Sequence, residues 1–228
     1  SAEDHDKLYT TRGILAAFRE AGYRTVFLSN QSPNRSYIDY FAHQADEYVS
    51  FVQGEHAAYD KAMIDSLRRV IGRGGEKLFV VMHTHGSHFN YRERDPSEGA
   101  YYTPDDLEVV TAGEREKLIN AYDNSIRYTD YVLGEIVDML KKKEVCASML
   151  YLSDHGEDIF DDARARYLHA SPIPTYYQLH IPYIIWFSDA YRATYPEKYQ
   201  TTMAHQALPV STNSVFHTVL DLAGIHTA

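Results

Sequence analysis

The residues with chemistry to offer are few and closely spaced. Asp154-His155 sets a carboxylate beside an imidazole, both good zinc ligands. Adjacent side chains on a strand point to opposite faces, but on a turn both can converge on one ion, and Gly156 permits such a turn. The competing reading makes Asp154 a helix cap and His155 a satisfied loop histidine. His83, His85 and His88 fall within one short run whose spacing matches no closed zinc site. They read as ligands, as hydrogen-bond donors to an anionic substrate, or as loop histidines without a task. His169 stands alone in a polar loop.

The preceding segments give these residues weight. The run 78–82 (LFVVM) is continuous and apolar, as in a strand covered on both faces, and His83 follows it directly. The run 146–152 predicts a second such strand, delivering Asp154 and His155 to its carboxyl end. In open parallel α/β sheets, ligands gather just beyond those ends. Further strands are expected over 25–29, with Ser29-Asn30-Gln31 as its terminating turn, and over 182–187. Helical spacing of apolar residues predicts helices over 12–20, 56–71, 111–143 and 211–224. On the last of these His217 reads as a half-buried packing residue, and Asp161-Asp162 with Arg164 and Arg166 as a solvated charged loop. This alternation implies a mostly parallel sheet with helices on both faces, in a single domain.

Composition excludes several functions. Against 32 acidic side chains stand 22 Lys and Arg, a net charge of −10 with no basic block, so the chain lacks the positive face that nucleic acid requires. Cys146 is the sole cysteine, which rules out an intrachain disulfide and a cysteine-based zinc site. The charge-free stretches 167–188 and 199–220 are too polar to be membrane helices, and the first holds three prolines.

With these residues in view, the chain resembles the periplasmic catalytic domain of the phosphoethanolamine transferases, within the alkaline phosphatase/sulfatase superfamily. The resemblance rests on segments in the family's order: GYRTVFLSNQ (22–31), HTHGSHFNYRERDP (83–96), NAYDNSIRYTDYVLGEIVDML (120–140), SDHGED with the later YLHASP (153–172), and STNSVFHTVLDLAG (211–224). It implies an alkaline-phosphatase-like three-layer α/β/α sandwich, N-terminally truncated, with residues 1–228 the C-terminal portion of the catalytic domain. Asp154 and His155 would then be zinc ligands. His88 and His169 would serve as catalytic histidines that bind phosphoryl oxygens, a second zinc, or the reacting alcohols. His83 matches a family histidine of less defined role.

The implied cofactor is zinc, one ion or two. The implied reaction moves phosphoethanolamine from phosphatidylethanolamine to a lipopolysaccharide or lipid A hydroxyl through a phosphothreonine. That threonine and an upstream glutamate ligand would precede Ser1, leaving the fragment inactive alone, and Thr10 and Thr11 are not promoted to the role. The whole protein is expected in the inner membrane, anchored by preceding helices, with its catalytic domain in the periplasm. Alternatives are a sulfatase or phosphoglycerol transferase of the same superfamily, or a non-catalytic binding domain. The chain departs from the family in three places. DIFDDARA follows SDHGE where Ser-Leu-Gly-Glu is usual, Thr212-Asn213-Ser214 stands for His-Asp-Asn, and the family's disulfides cannot form.

Overall fold

The computed structural model describes residues 11–32, 38–53, 56–75, 77–96, 100–169 and 171–226, so Thr10 lies outside the described residues. The chain divides into two compact units, Ser1–Gly86 with Ala223–Ala228, and Ser87–Leu222.

The first unit is built around β1 (Arg24–Ser29), whose residues 25–29 are all buried. A strand apolar on both faces needs a neighbour on each edge and cover above and below. Helix α1 (Ile14–Glu20) covers it with Leu15 and Phe18, the latter stacked on Phe79 at 3.7 Å between ring centroids. After α2 (Ile38–Ala42), strand β2 (Glu47–Ser50) pairs with one edge of β1, and β5 (Leu78–His83) pairs with the other. Both ladders are parallel, and the register sets Ser29 opposite His83. The expected carboxyl-end geometry is therefore present. Ser29 Oγ lies 3.1 Å from His83 Nδ1.

The helix expected over 56–71 forms only as α3 (Ala62–Gly72), because β3 (Val52–Gln53) and β4 (His56–Ala57) pair as an antiparallel ribbon ahead of it. Its inward stripe of Met63, Ile64, Leu67 and Val70 is the expected one without Ala58. Asp60, buried in the turn before α3, accepts from the backbone N–H of His85 and Gly86 and from Asn30 Nδ2, at 2.7–2.8 Å. Asn30 is thus a buried tie as well as a turn residue.

In the second unit α4 (Arg115–Lys143) follows a 3-10 turn at Ala112–Glu114, so its α-helical hydrogen bonds begin later than residue 111. Three lysines occupy its last turn, where the helix dipole favours cations, and Glu144 ends it in a left-handed conformation. Tyr91, Leu118 and Ala121 make a buried cluster at its amino-terminal half.

Strand β6 (Ser148–Leu152) leads to the short strands β7 (Asp158–Ile159) and β8 (Tyr167–Leu168), the single-turn helix α5 (Tyr176–Leu179), and β9 (Tyr183–Phe187). β9 runs antiparallel to β6, an exception to the expected parallel order. A parallel return needs a crossover of a dozen or more residues, usually helical. The residues between these strands instead form a hairpin and one helical turn. The short helices α6 (Asp189–Thr194) and α7 (Pro196–His205) precede α8 (Val215–Leu222). His217 is exposed, which corrects its expected half-burial. The inward face of α8 runs through Val215, Val219 and Leu222, about a turn apart, and His217 falls on the other side.

Candidate metal centre

The segment after β6 is held in place by its own backbone. Ser153 Oγ donates to His155 O at 2.6 Å, and the His155 N–H donates to Asp154 Oδ1 at 3.0 Å. Gly156 N–H donates to Gln178 O at 2.8 Å, and a Cβ at position 156 would stand 2.1 Å from Tyr177 O. The glycine is required by this close approach of two backbones. Asp158 is buried and accepts from Thr175 Oγ1 at 2.6 Å and Gln178 Nε2 at 2.5 Å. Thr175 caps α5 in turn, accepting from Gln178 N.

The β7–β8 hairpin pairs Asp158 with Leu168, which places the next residue, His169, beside Glu157. His169 Nδ1 lies 2.8 Å from Glu157 Oε1. The turn of this hairpin is the charged loop expected to be solvated, and in it Asp162 and Arg164 form an exposed ion pair. Its neighbours have structural tasks, since Asp161 Oδ2 accepts from Ile159 N and Arg166 donates to Ser171 Oγ and Ile173 O.

All four residues expected to do chemistry lie in the second unit, joined by three close pairings. The His155 and His169 rings are 3.9 Å apart between centroids, and His88 is 6.1 Å from His169. His155 Nε2 lies 3.8 Å from Asp154 Oδ2, with the Asp154 side chain 86% exposed. His83 and His85 belong to the first unit, where His83 faces Ser29 and the His85 backbone N–H is tied to Asp60.

The hydrogen bonds fix the tautomers. His155 Nδ1 is 3.0 Å from Gly156 O, and His88 Nδ1 is 2.5 Å from Phe89 O. Carbonyls only accept, so each Nδ1 donates and the neutral ring keeps its lone pair on Nε2. Metal-binding histidines show this arrangement, with the second ring nitrogen donating to a carbonyl or carboxylate.

Sequence reasoning named Glu157 only as a letter of SDHGED. Donor atoms of His155, Glu157 and His169 all lie within 4.8 Å of one another, and the Glu157 side chain is 4% exposed with Oε2 buried and lacking a hydrogen bond. Its signal in the sequence was faint: an acidic residue two positions beyond a candidate ligand. Below it, burial and then the Glu157 charge push the Tyr122 hydroxyl up to about 12, and the same causes raise Tyr91 well above the phenol range. Imidazole and carboxylate donors crowded at this spacing around an unsatisfied oxygen suit a divalent ion such as zinc.

This α/β arrangement, with an acid–imidazole pair leaving a strand and histidines gathered against it, defines a class: the chain belongs to the sulfatase family, whose profile matches residues 2–225. Within that class it is similar to the phosphoethanolamine transferase EptA of Salmonella typhimurium, at 30% identity over 98% of this chain and 42% of the relative. The C-terminal periplasmic domain of phosphoethanolamine transferase EptC from Campylobacter jejuni matches with a TM-score of 0.80 and 29% identity, over 95% of this chain and 67% of that one. The corresponding domain of Escherichia coli EptC, in complex with zinc, shares the fold with a TM-score of 0.80 at 24% identity, over 91% and 60% of the two chains. The fold is thus alkaline-phosphatase-like, as expected. The chain spans about two-fifths of the length of the EptA relative.

Proposed function

We propose that this chain is the C-terminal portion of the catalytic domain of a zinc-dependent phosphoethanolamine transferase. In this reading the donor is phosphatidylethanolamine, the acceptor is a lipopolysaccharide or lipid A hydroxyl, and the domain works in the periplasm on an inner-membrane anchor. No helix among the described residues is long and apolar enough to cross a membrane, so the anchor would come from sequence beyond these residues. The observation that carries the reading is the gathering of Asp154, His155, His88 and His169, with the Nδ1 of each histidine committed to an oxygen acceptor. Family membership and the similarity to named phosphoethanolamine transferases support it.

Asp154 and His155 would hold the ion, His155 through Nε2. Zinc in that position supplies Lewis acidity, lowering the pKa of a nucleophilic hydroxyl and offsetting charge on the phosphoryl oxygens. His88 and His169 bind the phosphoryl oxygens and orient the phosphodiester. His169 also passes the proton between leaving and attacking alcohols, its imidazole being able both to accept and to donate. The nucleophile is a threonine outside this sequence, which would carry the phosphoethanolamine between the two half-reactions, and the 228 residues alone would be inactive.

The test is Asp154→Ala in the full-length protein, read by mass spectrometry of lipid A or lipopolysaccharide. Loss of the phosphoethanolamine adduct is expected, and undiminished modification would overturn the proposal.

A further inference from the structure

Glu157 is more deeply buried than any of the residues assigned to the reaction above, and the proposed chemistry has not yet used it. Its Oε1 sits 2.8 Å from His169 Nδ1 and 4.0 Å from His155 Nδ1. Its Oε2 is sealed from solvent without a hydrogen bond, and so is the hydroxyl of Tyr91. Tyr91 is 1% exposed, packed in the cluster with Leu118 and Ala121, and senses the charge of Glu157.

We infer that Glu157 is the positioning residue of His169: it accepts the Nδ1 proton from beneath, fixes the ring plane and tautomer, and turns Nε2 toward the reacting group, with Tyr91 closing the far side of the carboxylate. The inference rests on the transferase reading for its consequence but not for its geometry. An ionised carboxylate only accepts, so a neutral His169 at 2.8 Å must place its proton on Nδ1. The alternative, Glu157 as a direct metal ligand, would use the Oε1 that already accepts from His169 Nδ1 or an Oε2 that is sealed from solvent, and the test below separates the two. Carboxylate–histidine pairs of this kind fix a histidine's tautomer and ring orientation, and losing the carboxylate typically costs about 10–100-fold in activity.

Backbone geometry explains why the pair forms. The hairpin register Asp158↔Leu168 brings Glu157 and His169 together as the residues just outside the ladder, and Asp158, tied to Thr175 and Gln178, holds that ladder in place. Leu168, at φ 63°, turns the chain so that the next residue leaves the strand direction.

The test compares Glu157→Ala and Glu157→Gln in zinc-free protein carrying 15N-histidine. In the unsubstituted protein His169 is expected as the Nδ1–H tautomer. Glu157→Gln keeps an oxygen acceptor and is expected to retain that tautomer and most of the zinc affinity, titrated with the metal alone. Glu157→Ala is expected to give a mixture with the Nε2–H form and, in the zinc-loaded full-length protein, about a 10–100-fold fall in kcat with little change in KM for the lipid donor. An unaltered tautomer in Glu157→Ala would overturn the inference. So would loss of zinc binding in Glu157→Gln, because that makes Glu157 a ligand. Should Glu157→Ala fail to fold, loss of the Nδ1–H form in a folded Glu157→Gln is the overturning result. Persistence of lipid modification in Asp154→Ala would defeat the transferase reading yet leave the His169 tautomer as found.

Discussion

Side chains in both units are aimed by oxygens that can only accept. In the second unit these are the carbonyls of Gly156 and Phe89 and the carboxylate of Glu157, which orient His155, His88 and His169. In the first, Asp46 Oδ2 accepts from Thr25 N at 2.8 Å and Thr25 Oγ1 at 2.9 Å. The Thr25 backbone N–H, followed by its hydroxyl and the charges of Arg19 and Arg24, holds the Asp46 carboxyl below the usual carboxylate range. A carboxyl whose folded pKa is depressed adds stability above its unfolded pKa of about 3.9 and loses it as pH falls through the folded value. Asp46→Asn should therefore flatten the stability profile below about pH 4 and lower stability at pH 7 by about 1 kcal/mol or less, after screening at this exposed site. Urea melts at several pH values check this. An unchanged acid limb would refute it. Asp154-His155 was legible as a candidate pair because two donor side chains adjacent in sequence are visible without a fold. Glu157 was not, because its partner His169 lies twelve residues on and meets it through a hairpin register.

At the scale of elements, the site depends on how tightly the loop after β6 packs on α5. Substituting Gly156 by Ala drives a Cβ into the Tyr177 carbonyl, 2.1 Å away. One backbone must move, and overpacking of this kind costs about 1–3 kcal/mol. Gly156→Ala should lower the urea midpoint accordingly and weaken zinc binding, since Asp154 and His155 ride on the same turn. A variant with the parent midpoint would show that the two backbones separate freely. The long helix was legible from its apolar spacing, which twenty-nine residues repeat over many turns. The start of α3 was not, because residues 56–57 satisfy their backbone groups in a ribbon with 52–53 instead. Strands of two residues leave too little periodicity to read.

For the molecule as a whole, zinc binding at the proposed site would be coupled to folding, since the donors of the second unit are gathered only when the hairpin and α5 are in place. A ligand that binds the folded state alone at a hundredfold over its Kd adds about 2.7 kcal/mol. For a chain of this size that corresponds to a Tm rise of roughly 5–11 °C, at about 2–4 °C per kcal/mol. Calorimetry with added zinc and with chelator measures it. The rise should largely vanish in His155→Ala, and a Tm indifferent to zinc in the parent protein would contradict the metal centre. The net charge of −10 sets the chain apart from nucleic-acid binders, and the sulfatase-family match agrees with an enzyme fold instead.

The sequence by itself determined which stretches could be buried as strands or long helices, and that an acid–imidazole pair would emerge from one of them. Both follow from patterns written in consecutive residues, apolar runs and adjacent donors. Only the tertiary structure decided that β9 returns antiparallel to β6, that Glu157 joins the imidazoles, and that His83 and His85 stay with the first unit. Those outcomes rest on register and on backbone contacts between residues far apart in the chain. Such contacts arise from the packing of whole elements, and no local pattern encodes them.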